Sequence, residues 1–387
     1  MKKSLSLPVI FALTAFLVGL NLRPVLSAVG PLFSQLNSAS GLSGIQFSLL
    51  TTLPVIMMGL AALGGPELLR RTGSVRGVAA GLALLALACL LRKFSLSSSW
   101  LIATALLAGS GIGIVQSLLP ALIKQNYARY SATLMSLFST GIMAGAAVAA
   151  ATAAPMSSAI GTANTFAAAG LPVLLALGVW TLQTRRSAAL PMMQGYHVRL
   201  TGRAWLLMFF FGIGTGAYTL VLAWLPPLYI QAGWSARSSG YILAGLTLTE
   251  VVAGFMVTAV VHRFPDRRGL LIMVLLLLLA GLVSLIVAPG TTPILSTLLL
   301  GAGIGALFPL SLTVTLDHAA TPSEAGRLLA FVQGGGYLLA ALMPLIAGVV
   351  QDHTDSLATA WVIMSVGVIL LIFIVSHLRP VLRPVRK

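Results

Sequence analysis

The sequence predicts an all-α membrane protein whose twelve transmembrane helices form two six-helix bundles, and three observations lead there. Of 387 residues, 58% are hydrophobic and only 8% are charged, against about 45–50% and about 25% in a soluble globular domain. Uncharged stretches recur that can cross a hydrocarbon core of about 30 Å, which takes about 20 helical residues. The pattern of these stretches also repeats once along the chain. A soluble fold would carry its apolar residues on short amphipathic faces, whereas residues 269–288 hold no charge at all.

In chain order the spans are predicted at 8–36, 44–69, 75–93, 100–123, 132–154, 163–184, 204–231, 239–262, 268–288, 293–317, 325–350 and 357–378. Helix stoppers and charges separate them, as at 37–43, 70–74, 265–268 and 322–324. The start, Met1-Lys2-Lys3 before an apolar run, has the look of a signal peptide. That reading is set aside because the apolar stretch continues past the weak cleavage site Leu26-Ser27-Ala28 to Leu36. The longest polar connection divides the chain into residues 1–184, a linker at 185–203, and residues 204–387.

The formal net charge of +16 raises the question of nucleic acid, and the placement of the charges answers it. With the N-terminus inside, nineteen of the 23 Lys and Arg fall on the cytoplasmic side, while Arg92, Lys93 and Arg237 face outward and Arg23 lies mid-span. This is the asymmetry expected of a multi-pass protein of the bacterial inner membrane with both termini cytoplasmic. The basic surplus then faces anionic lipid, and no nucleic-acid partner is required.

Two ionisable residues stand out at mid-span. Arg23 would cost about 2.5–3.5 kcal/mol at the bilayer centre on insertion scales, so something must offset it. Gly19, Arg23, Ser27 and Gly30 share one helical stripe, and Pro24 frees the Leu20 carbonyl so that a kink can turn Asn21 inward. The guanidinium either offers its fork of donors to a small anion or pins helices through carbonyls and waters. Glu250, the only acid at mid-span, either exchanges a proton coupled to transport or stays protonated between helices. Gln116 and Gln333, the latter one turn before Tyr337, are candidate substrate contacts and equally helix-to-helix glue. Tyr218 and Trp224 form a candidate aromatic wall, with Trp224 alternatively an interface anchor.

Catalytic constellations are missing from the sequence. The five histidines lack metal-ligand spacing, Cys89 is alone, and no cofactor motif occurs, so an enzyme is not expected. Gly109, Gly111 and Gly113 are read as packing residues and not as a phosphate loop, because no strand precedes them.

The repeat is visible in three pairs: Gly30-Pro31-Leu32-x-x-Gln35 with Pro226-Pro227-Leu228-x-x-Gln231, Gly109-Ser110-Gly111-Ile112-Gly113 with Gly301-Ala302-Gly303-Ile304-Gly305, and Phe138-x-x-Gly141 with Phe331-x-x-Gly334. An even six-span unit repeated once keeps its membrane orientation, the logic of major facilitator carriers, whose substrate sits at the midplane between halves. The run Gly19-Leu20-Asn21-Leu22-Arg23-Pro24, continuing to Val29-Gly30-Pro31-Leu32, resembles the first-helix signature of the cyanate and nitroimidazole transporter family within that superfamily. The likeness extends over nearly the whole chain, through Leu50-Thr51-Thr52-Leu53-Pro54-Val55, Ala223-Trp224-Leu225-Pro226 and Leu316-Asp317-His318.

The resemblance implies alternating access. It places Asn21, Arg23, Gln116, Tyr218, Trp224 and Gln333 at family positions. It implies a small-molecule cargo, cyanate foremost, with efflux or uptake of nitroimidazole-like or drug-like molecules as the alternative if Tyr218, Trp224, Phe331 and Tyr337 converge on a wide cavity. A solute-sensing receptor is the alternative class, set aside because no sizeable soluble domain is present. Protons as coupling ion rest on Glu250 and not on the resemblance. The superfamily's loop pattern survives as Asp266-Arg267-Arg268-Gly269 in the second half, whereas the first half has Arg70-Arg71-Thr72-Gly73.

Overall fold

The structure, a computed structural model, describes residues 6–184, 201–264, 266–319, 322–354 and 356–377. Its twelve helices long and apolar enough to cross a membrane are span 1 (Val9–Ser27), span 2 (Gly44–Leu63), span 3 (Ser74–Leu91), span 4 (Ser98–Asn126), span 5 (Ala128–Ile160), span 6 (Thr162–Thr184), span 7 (Gly202–Gln231), span 8 (Ala236–Val260), span 9 (Arg268–Val287), span 10 (Pro293–Asp317), span 11 (Glu324–Thr354) and span 12 (Ala358–Val375). Of the predicted linker, residues 185–200 lie outside the described residues. With an even number of crossings, span 1 begins and span 12 ends on one face, called here the near face; the other is the far face.

The two halves are built alike. Span 4 packs on spans 2 and 3, span 1 on span 5, and span 6 on span 3; correspondingly, span 10 packs on spans 8 and 9, span 7 on span 11, and span 12 on span 9. The halves meet where span 5 packs on span 8 and span 2 on span 11. Lipid tails are as apolar as leucine, so helices here are held by close backbone approach instead of by expulsion of water. The repeated glycine motif supplies that approach. Gly109 and Gly113 turn to Pro54, Met57 and Met58 of span 2, and Gly111 to Gly81 and Leu85 of span 3. Gly301 and Gly305 likewise turn to Leu246, Thr249 and Glu250 of span 8, and Gly303 to Leu278 of span 9. A β-carbon at any of these positions would run into a neighbouring helix.

Span 1 departs from the single segment predicted at 8–36. A helix at Ser6–Leu20 stops, Pro24–Ser27 forms one short turn, and Phe33–Ser40 resumes toward the far face. Pro24 has no amide hydrogen for the Leu20 carbonyl, so the helical hydrogen-bond ladder is interrupted there. The Asn21 amide donates to the Leu17 carbonyl at 2.7 Å, and Gly145 of span 5 lets the Leu20 backbone come close.

Span 2 also ends earlier than predicted, at Leu63; Gly65–Thr72 is a separate charged helix at the near face. Span 11 is interrupted between Ala340 and Leu342 because Pro344 cannot donate to Ala340. Hydroxyls from both halves bond the carbonyls at the break: Thr219 of span 7 donates to the freed Ala340 at 2.9 Å and Thr52 of span 2 to Ala341 at 3.2 Å. Within a membrane such carbonyls have no water to turn to, so the threonines hold the break in place.

Polar bonds between spans 2 and 11 close the far face. The Gly44 and Ile45 amides at the start of span 2 donate to the Asp352 carboxylate at 2.5 and 3.0 Å. Ser48 donates to the Pro344 carbonyl at 2.6 Å, and the Trp224 indole N–H is shared between that carbonyl and the Ser48 hydroxyl, both at 3.2 Å. Phe33 and Phe47 wrap the indole, with Phe47 edge-on at 5.1 Å.

Candidate functional site

The break in span 1 places Arg23 halfway between Ser6 and Ser40, at the depth where spans 2, 7, 8 and 11 also have their middles. The side chain is 6% exposed. Its guanidinium carbon lies 5.3 Å from the centre of the Tyr218 ring on span 7, and Nη1 lies 4.0 Å from the Met58 sulfur on span 2. Nε has no hydrogen-bond partner. A cation–π contact and a thioether both soften the burial of a cation without neutralising it.

Glu250 on span 8 is 4% exposed, and neither carboxyl oxygen has a hydrogen-bond partner. The Arg23 guanidinium lies within Coulombic reach of Glu250, Tyr218 and Tyr337, and Tyr218 within reach of Glu250 and Tyr337. Among the described residues Arg23 and Glu250 form no ion pair with each other. The Tyr218 hydroxyl and the Ser27 hydroxyl are likewise buried without partners. Buried polar groups are ordinarily satisfied, and these groups on spans 1, 7 and 8 stand without hydrogen-bond partners.

The other predicted residues lie as follows. Asn21 commits its amide nitrogen to Leu17. Tyr337 packs edge-on against Phe211 at 5.4 Å. Gln116 and Gln333 are half-buried and have no hydrogen-bond partner among the described residues. Trp224 lies two turns beyond Tyr218 toward the far face, fully buried in the far-face closure, so it is no lipid-interface anchor. The aromatic wall therefore divides: Phe331 packs on Trp205, Tyr337 on Phe211, and Trp224 on Phe33 and Phe47.

Three features escaped the sequence reading. Arg92, counted among the outer-side charges, lies at the far face but is 1% exposed: its Nε donates to Thr104 of span 4 at 3.1 Å and its guanidinium lies over Phe166 of span 6 at 4.8 Å. Glu67, in the first turn of the near-face helix Gly65–Thr72, binds both Arg70 and Arg71. Met58 contacts Arg23, and only its place in the repeat could have singled it out.

Comparison with known proteins agrees with this geometry. The Major Facilitator Superfamily model matches residues 11–321 and 205–387. The chain is 38% identical over 376 residues, covering 96% of this chain and 98% of the relative, to the cyanate transport protein CynX of Escherichia coli (strain K12). It is 31% identical to the 2-nitroimidazole transporter of the same organism, covering 92% and 90% of the two chains. Among solved structures, a D-xylose-proton symporter superposes with a TM-score of 0.81 at 15% identity, over 96% of this chain and 98% of that one, a likeness of fold alone. The two-bundle architecture, the repeated glycine packing and these matches together make the chain a multi-pass membrane transporter of the Major Facilitator Superfamily.

Proposed function

We propose that the protein carries a small anion, with cyanate the leading cargo, across the bacterial inner membrane by alternating access between the two bundles. The observation that carries this reading is Arg23: a cation 6% exposed at the midplane, with no carboxylate bonded to it. In a low-dielectric site an unneutralised guanidinium attracts an anion far more strongly than it would in water. Tyr218 lies against one face of the guanidinium, and the unpartnered Tyr218 and Ser27 hydroxyls can add hydrogen bonds to the same guest. Gln116, Gln333 and Tyr337 complete the proposed lining, and Asn21 and Trp224 support it from the break in span 1 and the far-face closure. The similarity to a cyanate transport protein agrees with a small anionic cargo.

Glu250 supplies the coupling. A proton taken up by this carboxyl together with an anion on Arg23 makes the crossing electroneutral, so the membrane potential does not oppose inward movement of the cargo. Such a carrier must break the far-face bonds of Asp352, Ser48 and Trp224 to open outward. The near face is assigned to the cytoplasm: Arg70, Arg71, Arg76, Lys124, Arg129, Arg263, Arg267 and Arg268 lie there, against Arg92, Lys93 and Arg237 at the far face.

A flat aromatic cargo such as a nitroimidazole is supported by the second relative. The division of the aromatic side chains into separate contacts favours the small anion instead. Uptake of labelled cyanate into proteoliposomes, with a nitroimidazole as competitor, tests the choice. Arg23→Gln is expected to lower saturable cyanate uptake by roughly 10- to 150-fold, the loss of a charged hydrogen bond of about 1.5–3 kcal/mol. Saturable uptake unchanged in a folded Arg23→Gln protein would remove the anion site, and no cyanate flux in the unaltered protein would remove the cargo.

A further inference from the structure

The glycine motif aligns the two halves residue by residue. Gly109 and Gly113 lie against Pro54 and Met58 of span 2 as Gly301 and Gly305 lie against Leu246 and Glu250 of span 8, always 192 positions apart. Met58 therefore occupies, in the first half, the position that Glu250 occupies in the second. Both side chains are buried, at 2% and 4% exposure, and both lie close to Arg23. The symmetric scaffold thus has two equivalent slots beside one cation, one filled by an acid and the other by a thioether.

The contents of the Met58 slot matter because the side chains are nearly matched in length. Methionine Sδ is three bonds from Cα, where glutamate has its carboxyl carbon, and that sulfur is already 4.0 Å from Nη1 of Arg23. Carboxyl oxygens reach one bond further, so an acid in this slot would bond the guanidinium directly. The pair would then satisfy itself and leave no net charge for a guest.

We propose that Met58 sets the charge selectivity of the central site: by placing a neutral thioether where the other half has a carboxylate, it keeps the Arg23 guanidinium available to an anion. This inference rests on the reading of Arg23 as the anion site. Met58 acts through Arg23 and is a positioning residue, adaptable in packing and too weak an acceptor to compete with an anionic cargo.

The test is binding of cyanate to the full-length purified transporter, comparing Met58→Glu with Met58→Gln, which has nearly the same size and no charge. Met58→Glu is expected to bind cyanate at least about tenfold more weakly than Met58→Gln, the equivalent of one close charge pair. Thermal melting separates this from misfolding. With Arg23 present, Met58→Glu should melt no lower than Met58→Gln; in an Arg23→Gln background, where the new acid is unpaired, it should melt lower. Equal cyanate binding by Met58→Glu and Met58→Gln, or the same melting order in both backgrounds, would overturn the role of Met58. Binding by Arg23→Gln at the unaltered level would instead overturn the anion site on which it rests.

Discussion

The two halves share a packing plan and differ in what they place at its centre. Spans 4 and 10 use the same alternation of glycines against equivalent partners in their own halves, yet span 1 contributes Arg23 while the neighbouring Tyr218 and Thr219 of span 7 are uncharged. Span 8 contributes Glu250 where span 2 has Met58. Small residues that admit backbones to one another maintain the pseudo-symmetry, and its charged exceptions concentrate at the midplane. A scaffold that moves as two similar bodies can thereby hold one cation and one acid in a fixed relation without pairing them.

The sharpest way to break this comparison is to remove the acid. Glu250→Gln is expected to abolish accumulation driven by a pH gradient while cyanate counterflow persists; proton-driven accumulation by the variant would eliminate Glu250 as the coupling group. Next in size is the glycine under that acid. A β-carbon at Gly305 would lie 2.6 Å from the Glu250 carbonyl carbon and nearer still to other backbone atoms, whereas at Gly113 it would come no nearer than 2.8 Å to any atom. Gly305→Ala should therefore lower the melting temperature more than Gly113→Ala, with overpacking costs in a range of about 1–3 kcal/mol. The reverse order would mean that the halves are not packed in register.

A smaller effect is expected at the junction between halves. Asp352→Asn leaves one oxygen to accept from two amides, so a cysteine at Ser48 should be labelled faster from the far side in this variant than in its parent. Unaltered labelling would show that the aromatic cluster closes that face by itself. The least effect belongs to Glu67, exposed at the near face. Hydrogen bonds from Arg70 and then Arg71 hold its carboxyl down at about 2. Because the folded value is depressed, its contribution to stability is full above the ordinary carboxylate range and disappears as pH falls toward about 2. The melting difference between the protein and Glu67→Gln should be slight at neutral pH and vanish on acidification, as expected of a surface pair.

Much of this was legible along the chain. Arg23 and Glu250 declare themselves because an ionisable residue inside an apolar run is costly wherever the helices happen to lie. The glycine motif and the interruption at Pro24 are equally local, one a matter of close approach and the other of a missing amide hydrogen. The surroundings of Trp224 and Arg92 were not legible for a common reason: each sits near a span end, where sequence alone cannot distinguish a lipid-facing position from one covered by Phe33 and Phe47, or by Thr104 and Phe166.

Composition and spacing alone determined membrane residence, the number of crossings and the doubled six-helix plan, because a bilayer imposes span length and internal backbone hydrogen bonding on each segment separately. Tertiary structure decided which groups face one another: Met58 against Arg23, Asp352 against the first amides of span 2, the threonines against the broken carbonyls of span 11. Those contacts join residues scores or hundreds of positions apart, and their geometry exists only once the helices have packed.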